Sequence, residues 1–447
     1  MSSPAIAAIA SPPGMGAVAL VRLSGAGAAE VAGAVFRGRP VSGWIPRQQH
    51  FGRIVDAAGS VVDEVLLTWF PGPGSFTGED MVEISCHGGP LVTRRVLESL
   101  LEAGAEPAHA GEFSERAFCN GRLDLTQAEA IMDLISAKTD LALKAAGEQL
   151  AGRLGREVEG LRQGLIGLLA HVEAYIDFPE EDISPETGAS LLAAMEVELG
   201  RMRRLLATAD QGRILREGLR TVICGPPNAG KSSLLNRLVG FDRAIVSEMA
   251  GTTRDTVEEF VSVAGIPLRL IDTAGIREGA GEIEREGIER SRAAIAGAEL
   301  VLLVVDASRG ASQLDPIKLP EGSRLVRLLN KADLPRHPDW EAAEGIPLSC
   351  LDEASVDAFR GRLASLLLEG EGFDADHPVA INARHQGCLR RAARDLDSAR
   401  VLLEAGESPE FVAVELRSSL EAVGGIVGRT DVEEILSEIF STFCIGK

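Results

Sequence analysis

At 447 residues with 45% apolar content, the chain is long enough for roughly three domains with sizeable cores. Asp and Glu number 66 against 45 Lys and Arg, a formal charge of −21, so bulk charge advertises no nucleic-acid partner; RNA would need a local basic patch or a second protein. No apolar run approaches the roughly 18 residues of a membrane span, no basic stretch precedes the apolar start as in a signal peptide, and the six scattered cysteines include no C-x-x-C pair, which argues against a disulfide framework or a zinc site. The expectation is a cytoplasmic protein with no membrane partner.

Residues 1–117 read as an α/β domain. Ala5–Ala10 and Ala17–Leu23 have strand character and are separated by the turn signal Ser11-Pro-Pro-Gly14. Val61–Phe70 and Met81–Ser85 are further strands, joined by the loop from Pro71 to Asp80. Cys86-His87-Gly88-Gly89-Pro90 leads into a helix with Leu91, Val92, Val96, Leu97, Leu100 and Leu101 at helical spacing. That glycine-rich turn is either a tight strand-to-helix connection or a phosphate nest without a lysine. From Leu125 to about Asp210 the period is helical, and Leu143, Ala146, Leu150, Leu154, Val158, Leu161, Leu165, Leu168, Val172 and Tyr175 form an apolar stripe over about nine turns. Such a length suits a helical bundle or coiled-coil-like packing. Asp177-Phe-Pro179 interrupts it, and a second helix is expected over Gly188–Ala209.

Residues 216–370 alternate strand and helix, which implies a mostly parallel sheet. The short strand Thr221–Ile223 meets Gly225-Pro-Pro-Asn228-Ala229-Gly230-Lys231-Ser232-Ser233, followed by an apolar helix. Strand, glycine loop and helix form a phosphate cradle: backbone N–H groups approach the phosphates, Lys231 adds a point charge, and Ser232 offers Mg²⁺ a hydroxyl. Asp272-Thr273-Ala274-Gly275 follows the apolar strand Leu268–Ile271, within reach of Mg²⁺ and the γ-phosphate. Asn330-Lys331-Ala-Asp333 follows Leu325–Leu329 and offers the Asp333 carboxylate to the N–H pair of guanine. A buried Asp333 would reject adenine, which lacks that donor pair. Together the three motifs imply a GTPase. Ser247-Glu248-Met249-Ala250-Gly251-Thr252-Thr253 lies where GTPases place their first switch, and Thr253 is the residue expected to close on Mg²⁺ and the γ-phosphate. Ile276 stands where Ras-like GTPases carry the water-positioning glutamine, so hydrolysis must draw on another polar group and another positive charge.

From Ile381 onward the chain is helical again, with Leu389, Ala392, Ala393 and Leu396 on one helix and Phe411, Val414 and Leu416 on another. A last helix is expected from the capping box Thr430-Asp-Val-Glu433. The GTPase segment therefore interrupts a helical domain. The expected bounds are 1–117 for the N-terminal domain, 118–215 and 371–447 for the two helical parts, and 216–370 for the GTPase domain.

Gly225-Pro-Pro-Asn228-Ala-Gly-Lys-Ser, Gly251-Thr-Thr-Arg-Asp255, residues 283–290 (Ile-Glu-Arg-Glu-Gly-Ile-Glu-Arg) and the terminal Cys444-Ile-Gly-Lys447 resemble the tRNA-modification GTPase family MnmE, also called TrmE. So do Phe76-Thr-Gly-Glu79-Asp80, Gly111-Glu-Phe-Ser-Glu-Arg-Ala-Phe118 and the run from Asn120 to Glu129, in the same order along essentially the whole chain. The resemblance implies an α/β and α multi-domain protein: a folate-binding N-terminal domain through which a homodimer forms, and a helical bundle interrupted by a Ras-like P-loop domain. It implies addition of an aminomethyl or carboxymethylaminomethyl group to the wobble uridine of certain tRNAs. The carbon comes from a tetrahydrofolate derivative (5-formyl- or methylene-tetrahydrofolate), and FAD sits only on a partner flavoprotein of MnmG type.

The family's K⁺ ion, which takes the place of an arginine finger as G domains pair, maps to Asn228, Ser247, Met249 and Thr252. Mg²⁺ maps to Ser232 and Thr253, and the water-orienting glutamate to Glu284. The folate positions correspond to Arg22, Glu79, Arg122 and Lys447. Ser349-Cys350-Leu351 departs from the common Ser-Ala-Lys of the guanine loop, where backbone N–H groups make most of the base contact. Cys444 is either an inert small residue at a helix end or a reactive thiol beside folate. The competing readings are a ribosome-assembly GTPase acting as an RNA-binding timer, and a stand-alone one-carbon transferase regulated by GTP.

Overall fold

The computed structural model describes residues 3–177, 185–241, 259–271, 295–310, 319–368, 380–429, 436, 439–441 and 443–446. The chain divides into two units, Met1–Met132 with Val423–Lys447, and Asp133–Ala422.

In the first unit, alternating apolar residues build one twisted sheet from β1 (Ile6–Ile9), β2 (Val18–Ser24), β3 (Phe36–Arg37), β4 (Gln49–Val55), β5 (Val61–Phe70), β6 (Met81–His87) and β7 (Glu106–Pro107). Their order is β3-β4-β5-β6-β2-β1-β7. Neighbours are antiparallel except for the parallel β1/β7 pair at one edge. Along β2 the side chains alternate, so Val21 and Leu23 are buried with Ile54, Leu67 and Ile84 in a core covered by α1 (Ala28–Val35) and α2 (Pro90–Glu102), while Arg22 and Ser24 face the other side. Each fully buried Leu or Ile in that core is worth about 1.5–3 kcal/mol.

The turn at Cys86–Pro90 is the tight connection and not a phosphate nest. His87 N–H donates to Asp63 Oδ2 at 2.8 Å, Gly88 N–H to the Ala17 carbonyl at 3.3 Å, and Gly89 N–H to the His87 carbonyl at 3.0 Å, leaving no cluster of amides for an anion. The loop Pro71–Asp80, α3 (Glu112–Cys119) and α4 (Leu125–Ser136) complete the unit together with the end of the chain. The Phe440 and Phe443 rings meet tilted at 59° with centroids 5.3 Å apart and pack with Ala128 and Phe118, and Ile445 pairs antiparallel with Ala110. Gly446, at φ +95°, lies against β1 so closely that a Cβ would sit 2.4 Å from the Ile9 carbonyl oxygen.

In the second unit the long apolar stripe is two helices, α5 (Asp140–Leu150) and α6 (Arg153–Asp177), because Gly152 takes φ +78° and breaks the register. As a result Leu143 is exposed, and α5 buries Ala142 and Ala145 beside the expected Ala146; Tyr175, in the last turns of α6, is exposed as well. After α7 (Pro185–Ala207) and α8 (Ala209–Glu217) the chain enters a second sheet. Its strands are β8 (Leu219–Cys224), β9 (Glu259–Val263), β10 (Ile266–Leu270), β11 (Leu300–Asp306), β12 (Arg324–Asn330) and β13 (Ile346–Leu348), in the order β13-β12-β11-β8-β10-β9. All pairs are parallel except β9/β10. Leu300–Val305 is buried at every position, as befits a central parallel strand covered on both faces.

α9 (Lys231–Phe241) and α10 (Glu353–Leu368) belong to this α/β fold, after which α11 (Ala383–Glu404) and α12 (Pro409–Val427) return to the helical bundle. On α12 the buried stripe runs through Val412, Ala413 and Leu416, so Phe411 and Val414, expected inside, are exposed. Where the chain enters and leaves the inserted domain, two strands of backbone touch. A Cβ on Gly212 would meet the Ile381 carbonyl oxygen at 2.8 Å, and Arg216 Nη2 donates to that carbonyl at 3.0 Å. A helical domain interrupted by a P-loop domain is therefore the architecture. The capping box at Thr430–Glu433 lies outside the described residues, which include no helix long and apolar enough to cross a membrane.

Candidate functional site

β8 is the topological switch point of its sheet: the chain continues to β9 and β10 on one side and to β11 and β12 on the other, and ligands of such sheets bind beyond the carboxyl ends of the strands. The phosphate loop leaves β8 at that end. Gly225, at φ +143°, lets the loop pass so close to β11 that a Cβ would stand 2.0 Å from the Val304 carbonyl oxygen. Asn228 adopts the left-handed φ +59° and is exposed on the loop. Lys231 Nζ donates to the Gly225 and Pro226 carbonyls, each at 2.9 Å, and so holds the loop's curvature. Burial lowers the Lys231 pKa and pushes the neighbouring Cys224 thiol up to about 11, against the pull of the Lys231 charge. Ser232 and Ser233 are exposed at the start of α9, and Ala229 is buried beneath the loop.

Asn330 ties the phosphate loop to the Ser349–Leu351 loop. Its buried side chain donates from Nδ2 to the Ala229 carbonyl at 2.7 Å and accepts the Cys350 N–H at Oδ1, 3.4 Å away. Gly230 is required at this clasp, since a Cβ there would lie 2.1 Å from Asn330 Nδ2. Lys331, at φ +62°, donates to Asp306 Oδ2 at 2.6 Å. Burial acts to raise the Asp306 carboxyl, but Lys331 and the Ser308 amide and hydroxyl outweigh it and hold the pKa below the usual range. Asp333 is exposed at the rim, not buried as the adenine-rejection argument assumed, and Ser349 Oγ donates to its Oδ1 at 2.6 Å. Cys350 is buried and Leu351 is 81% exposed.

Asp306, Ser308 and Arg237 were not singled out by sequence. Asp306 ends β11 and Ser308 lies just beyond it, in Asp-Ala-Ser, a signal readable only once β11 is known to end beside β12. Ser247, Glu248, Met249, Ala250, Gly251, Thr252, Thr253, Asp272, Thr273, Ala274, Gly275, Ile276 and Glu284 lie outside the described residues.

In the first unit, Arg22 Nε is paired with Glu83 Oε1 at 2.8 Å across the β2/β6 register. Glu79 Oε2 accepts from Ser24 Oγ at 2.8 Å and from Arg116 Nη1 at 3.2 Å, and Arg116 is also paired with Glu112 at 2.7 Å. Arg122 is exposed, with its stem against Gly78, and Asn120 Nδ2 donates to the Thr77 carbonyl at 2.8 Å. Glu79 and Arg122 thus flank one loop, with Arg22 two residues from Ser24 on the same face of β2. Arg116 and Ser24 are the members that sequence reading missed, although Arg116 sits inside a stretch it quoted. Cys444 is exposed, and Lys447 lies outside the described residues.

One asparagine clasps the phosphate loop to the Ser349–Leu351 loop at the switch point of this sheet, an arrangement of the P-loop GTPase class. Residues 5–122 match the family model described as GTP-binding protein TrmE N-terminus, and residues 125–444 match the MnmE helical domain. The tRNA modification GTPase MnmE of Akkermansia muciniphila is 50% identical over 450 residues, covering 99% of this chain and 98% of that one. Its counterpart in Symbiobacterium thermophilum is 45% identical over 459 residues and the full length of both chains, 100% of each. That of Geobacillus thermodenitrificans is 44% identical over 456 residues, 99% of each. The chain belongs to the tRNA modification GTPase MnmE family, and is a GTPase acting in tRNA modification.

Proposed function

We propose that this chain hydrolyses GTP to drive addition of an aminomethyl or carboxymethylaminomethyl group to the wobble uridine of certain tRNAs, in the cytoplasm, as a homodimer working with an FAD-carrying partner of MnmG type. The observation that supports it best is the pairing of two sites in one chain: the clasped nucleotide site, and the Arg22–Glu79–Arg116–Arg122 neighbourhood in the unit to which the chain's end returns. The bounds 1–117, 118–215 with 371–447, and 216–370 describe its folate-binding, helical and GTPase domains in this reading.

Guanine is read by Asp333 with Asn330, Lys331 and the Ser349–Leu351 loop. The phosphates are held by Asn228–Ser233 and by the segments Ser247–Thr253 and Asp272–Gly275. The donor set suits the expected ions: an exposed Ser232 hydroxyl for Mg²⁺, joined by Thr253, and the exposed Asn228 side chain for K⁺, joined by Ser247, Met249 and Thr252. Such a monovalent ion would supply positive charge to the developing phosphate charge, the role in which an arginine finger is worth about 10³–10⁵ in rate. Glu284 orients the attacking water in place of the glutamine that Ile276 replaces. A tetrahydrofolate derivative is held by Arg22, Glu79, Arg122 and Lys447.

Mass spectrometry of wobble uridines tests the reading. In a strain lacking the protein the modified uridines should disappear, and Glu284→Ala should not restore them while still binding GTP. GTP hydrolysis by the purified protein should rise steeply when K⁺ replaces Na⁺. Unmodified uridine levels equal to those of the parent strain, with a ribosome-assembly defect in their place, would point to the RNA-binding timer. Equal rates in the two salts would remove the cation from the mechanism.

A further inference from the structure

Arg237 lies on α9, less than two turns beyond Lys231. Its Nε donates to the Cys350 carbonyl at 2.9 Å, across 113 residues of sequence. A trans peptide sets its C=O and N–H in opposite directions. Holding the Cys350 carbonyl toward α9 therefore turns the Leu351 N–H away from the helix. That N–H points to Ser349 Oγ, 3.4 Å away, and Ser349 Oγ donates to Asp333 Oδ1 at 2.6 Å. The remaining loop amides are committed, Cys350 N–H to Asn330 Oδ1 and Ser349 N–H to Ser355 Oγ at 2.8 Å. The loop's third position, lysine in many GTPases, is here the exposed apolar Leu351, whose side chain supplies no polar anchor. The anchor comes from the phosphate-loop helix.

We propose that Arg237 is a positioning residue for guanine recognition: by gripping the peptide between Cys350 and Leu351 it sets Ser349, and through Ser349 the Asp333 carboxylate. The proposal rests on the assignment of Asp333 and the Ser349–Leu351 loop to the base. It links the helix that begins at the phosphates directly to the loop that reads the base, so a shift of α9 is transmitted to the base loop without passing through Asn330. The buried Cys350 thiol is a built-in reporter of the loop.

Full-length Arg237→Ala and Arg237→Lys are compared with the parent protein in three measurements: titration with fluorescent GDP and GTP analogues, steady-state GTP hydrolysis, and iodoacetamide labelling of Cys350 read by peptide mass spectrometry. Arg237→Ala should weaken GDP and GTP alike by roughly three- to tenfold, the span of one lost hydrogen bond. KM should rise with kcat held, and Cys350 should label faster. Arg237→Lys, which keeps a cationic donor and a long stem, should recover part of each effect and shows that the changes are not unfolding. Unchanged affinity in Arg237→Ala, or weakened affinity with unchanged Cys350 labelling, would overturn the proposal. A separate outcome concerns its foundation: if GDP does not protect Cys350 in the parent protein, the base does not lie on this loop, and the base-reading assignment fails whatever Arg237 grips.

Discussion

Asp333 carries the clearest prediction at the scale of single residues. Its carboxylate is exposed and accepts the Ser349 hydroxyl at Oδ1. Guanine presents a donor pair to such a group; xanthine presents an acceptor at one of those positions, which a carboxamide N–H₂ satisfies. Asp333→Asn should therefore exchange preference for GTP for preference for xanthosine triphosphate, measured by competition titration, and a variant that still prefers GTP would show that Asp333 is not the base reader. The neighbouring Lys331 has a different task. Bonded to Asp306 at 2.6 Å and set at φ +62°, it braces the carboxyl ends of β11 and β12 against each other. Its place in the motif was legible in sequence. Its partner was not, because Asp306 lies 25 residues upstream and only the parallel register of β11 with β12 brings Asp306 opposite Asn330.

Among the elements, the phosphate loop and its helix depend on a backbone that only glycine allows. Gly225 combines φ +143° with a 2.0 Å approach of its absent Cβ to the Val304 carbonyl oxygen, a fixed backbone atom of a central strand. Gly225→Ala should lower stability by about 1–3 kcal/mol from the dihedral alone, with the clash added. Nucleotide binding should be lost, as thermal melting and GDP titration will report. Gly361 is the counter-case: it sits exposed within α10, and nothing lies within 4 Å of its missing Cβ. Gly361→Ala should stabilise by about 0.5–1 kcal/mol, since helical alanine loses less backbone entropy. Glycine content alone distinguishes neither position. The same lesson applies to the stripe from Leu143 to Tyr175: its period holds along α6 from Leu154 to Val172 but not on α5, because a helix-period pattern does not register the single left-handed residue Gly152 between them.

At the scale of the molecule, the end of the chain belongs with its beginning. Val423–Lys447 joins the unit of Met1–Met132, where Phe440 and Phe443 fill a pocket with Phe118 and Ala128, Ile445 pairs with Ala110, and Gly446 rests on β1. The tail thus lies in the same unit as Arg22, Glu79 and Arg122. Deleting Cys444–Lys447 should weaken folate binding in the full chain, where charge-assisted contacts are worth roughly 1.5–3 kcal/mol each. Unchanged affinity by calorimetry would reject the placement of Lys447 at that site. Within the second unit, the contact of Gly212 and Arg216 with Ile381 joins the two helical segments on either side of the inserted α/β fold.

What the sequence determined by itself is whatever is written in a few contiguous residues. The phosphate loop, the Asn330–Asp333 motif, the strands expected at Val61–Phe70 and Ala17–Leu23 and the interruption of a helical domain all follow from local pattern, because backbone conformation over four to eight residues suffices to present them. Tertiary structure alone decided the pairs separated by long stretches of chain. Those pairs are Asn330 with Ala229, Arg237 with Cys350, Glu79 with Arg116, and Ala110 with Ile445. Short strands such as Phe36–Arg37 and Glu106–Pro107 belong with them, since two residues have no period to read and become strands only when a neighbouring edge supplies their hydrogen bonds.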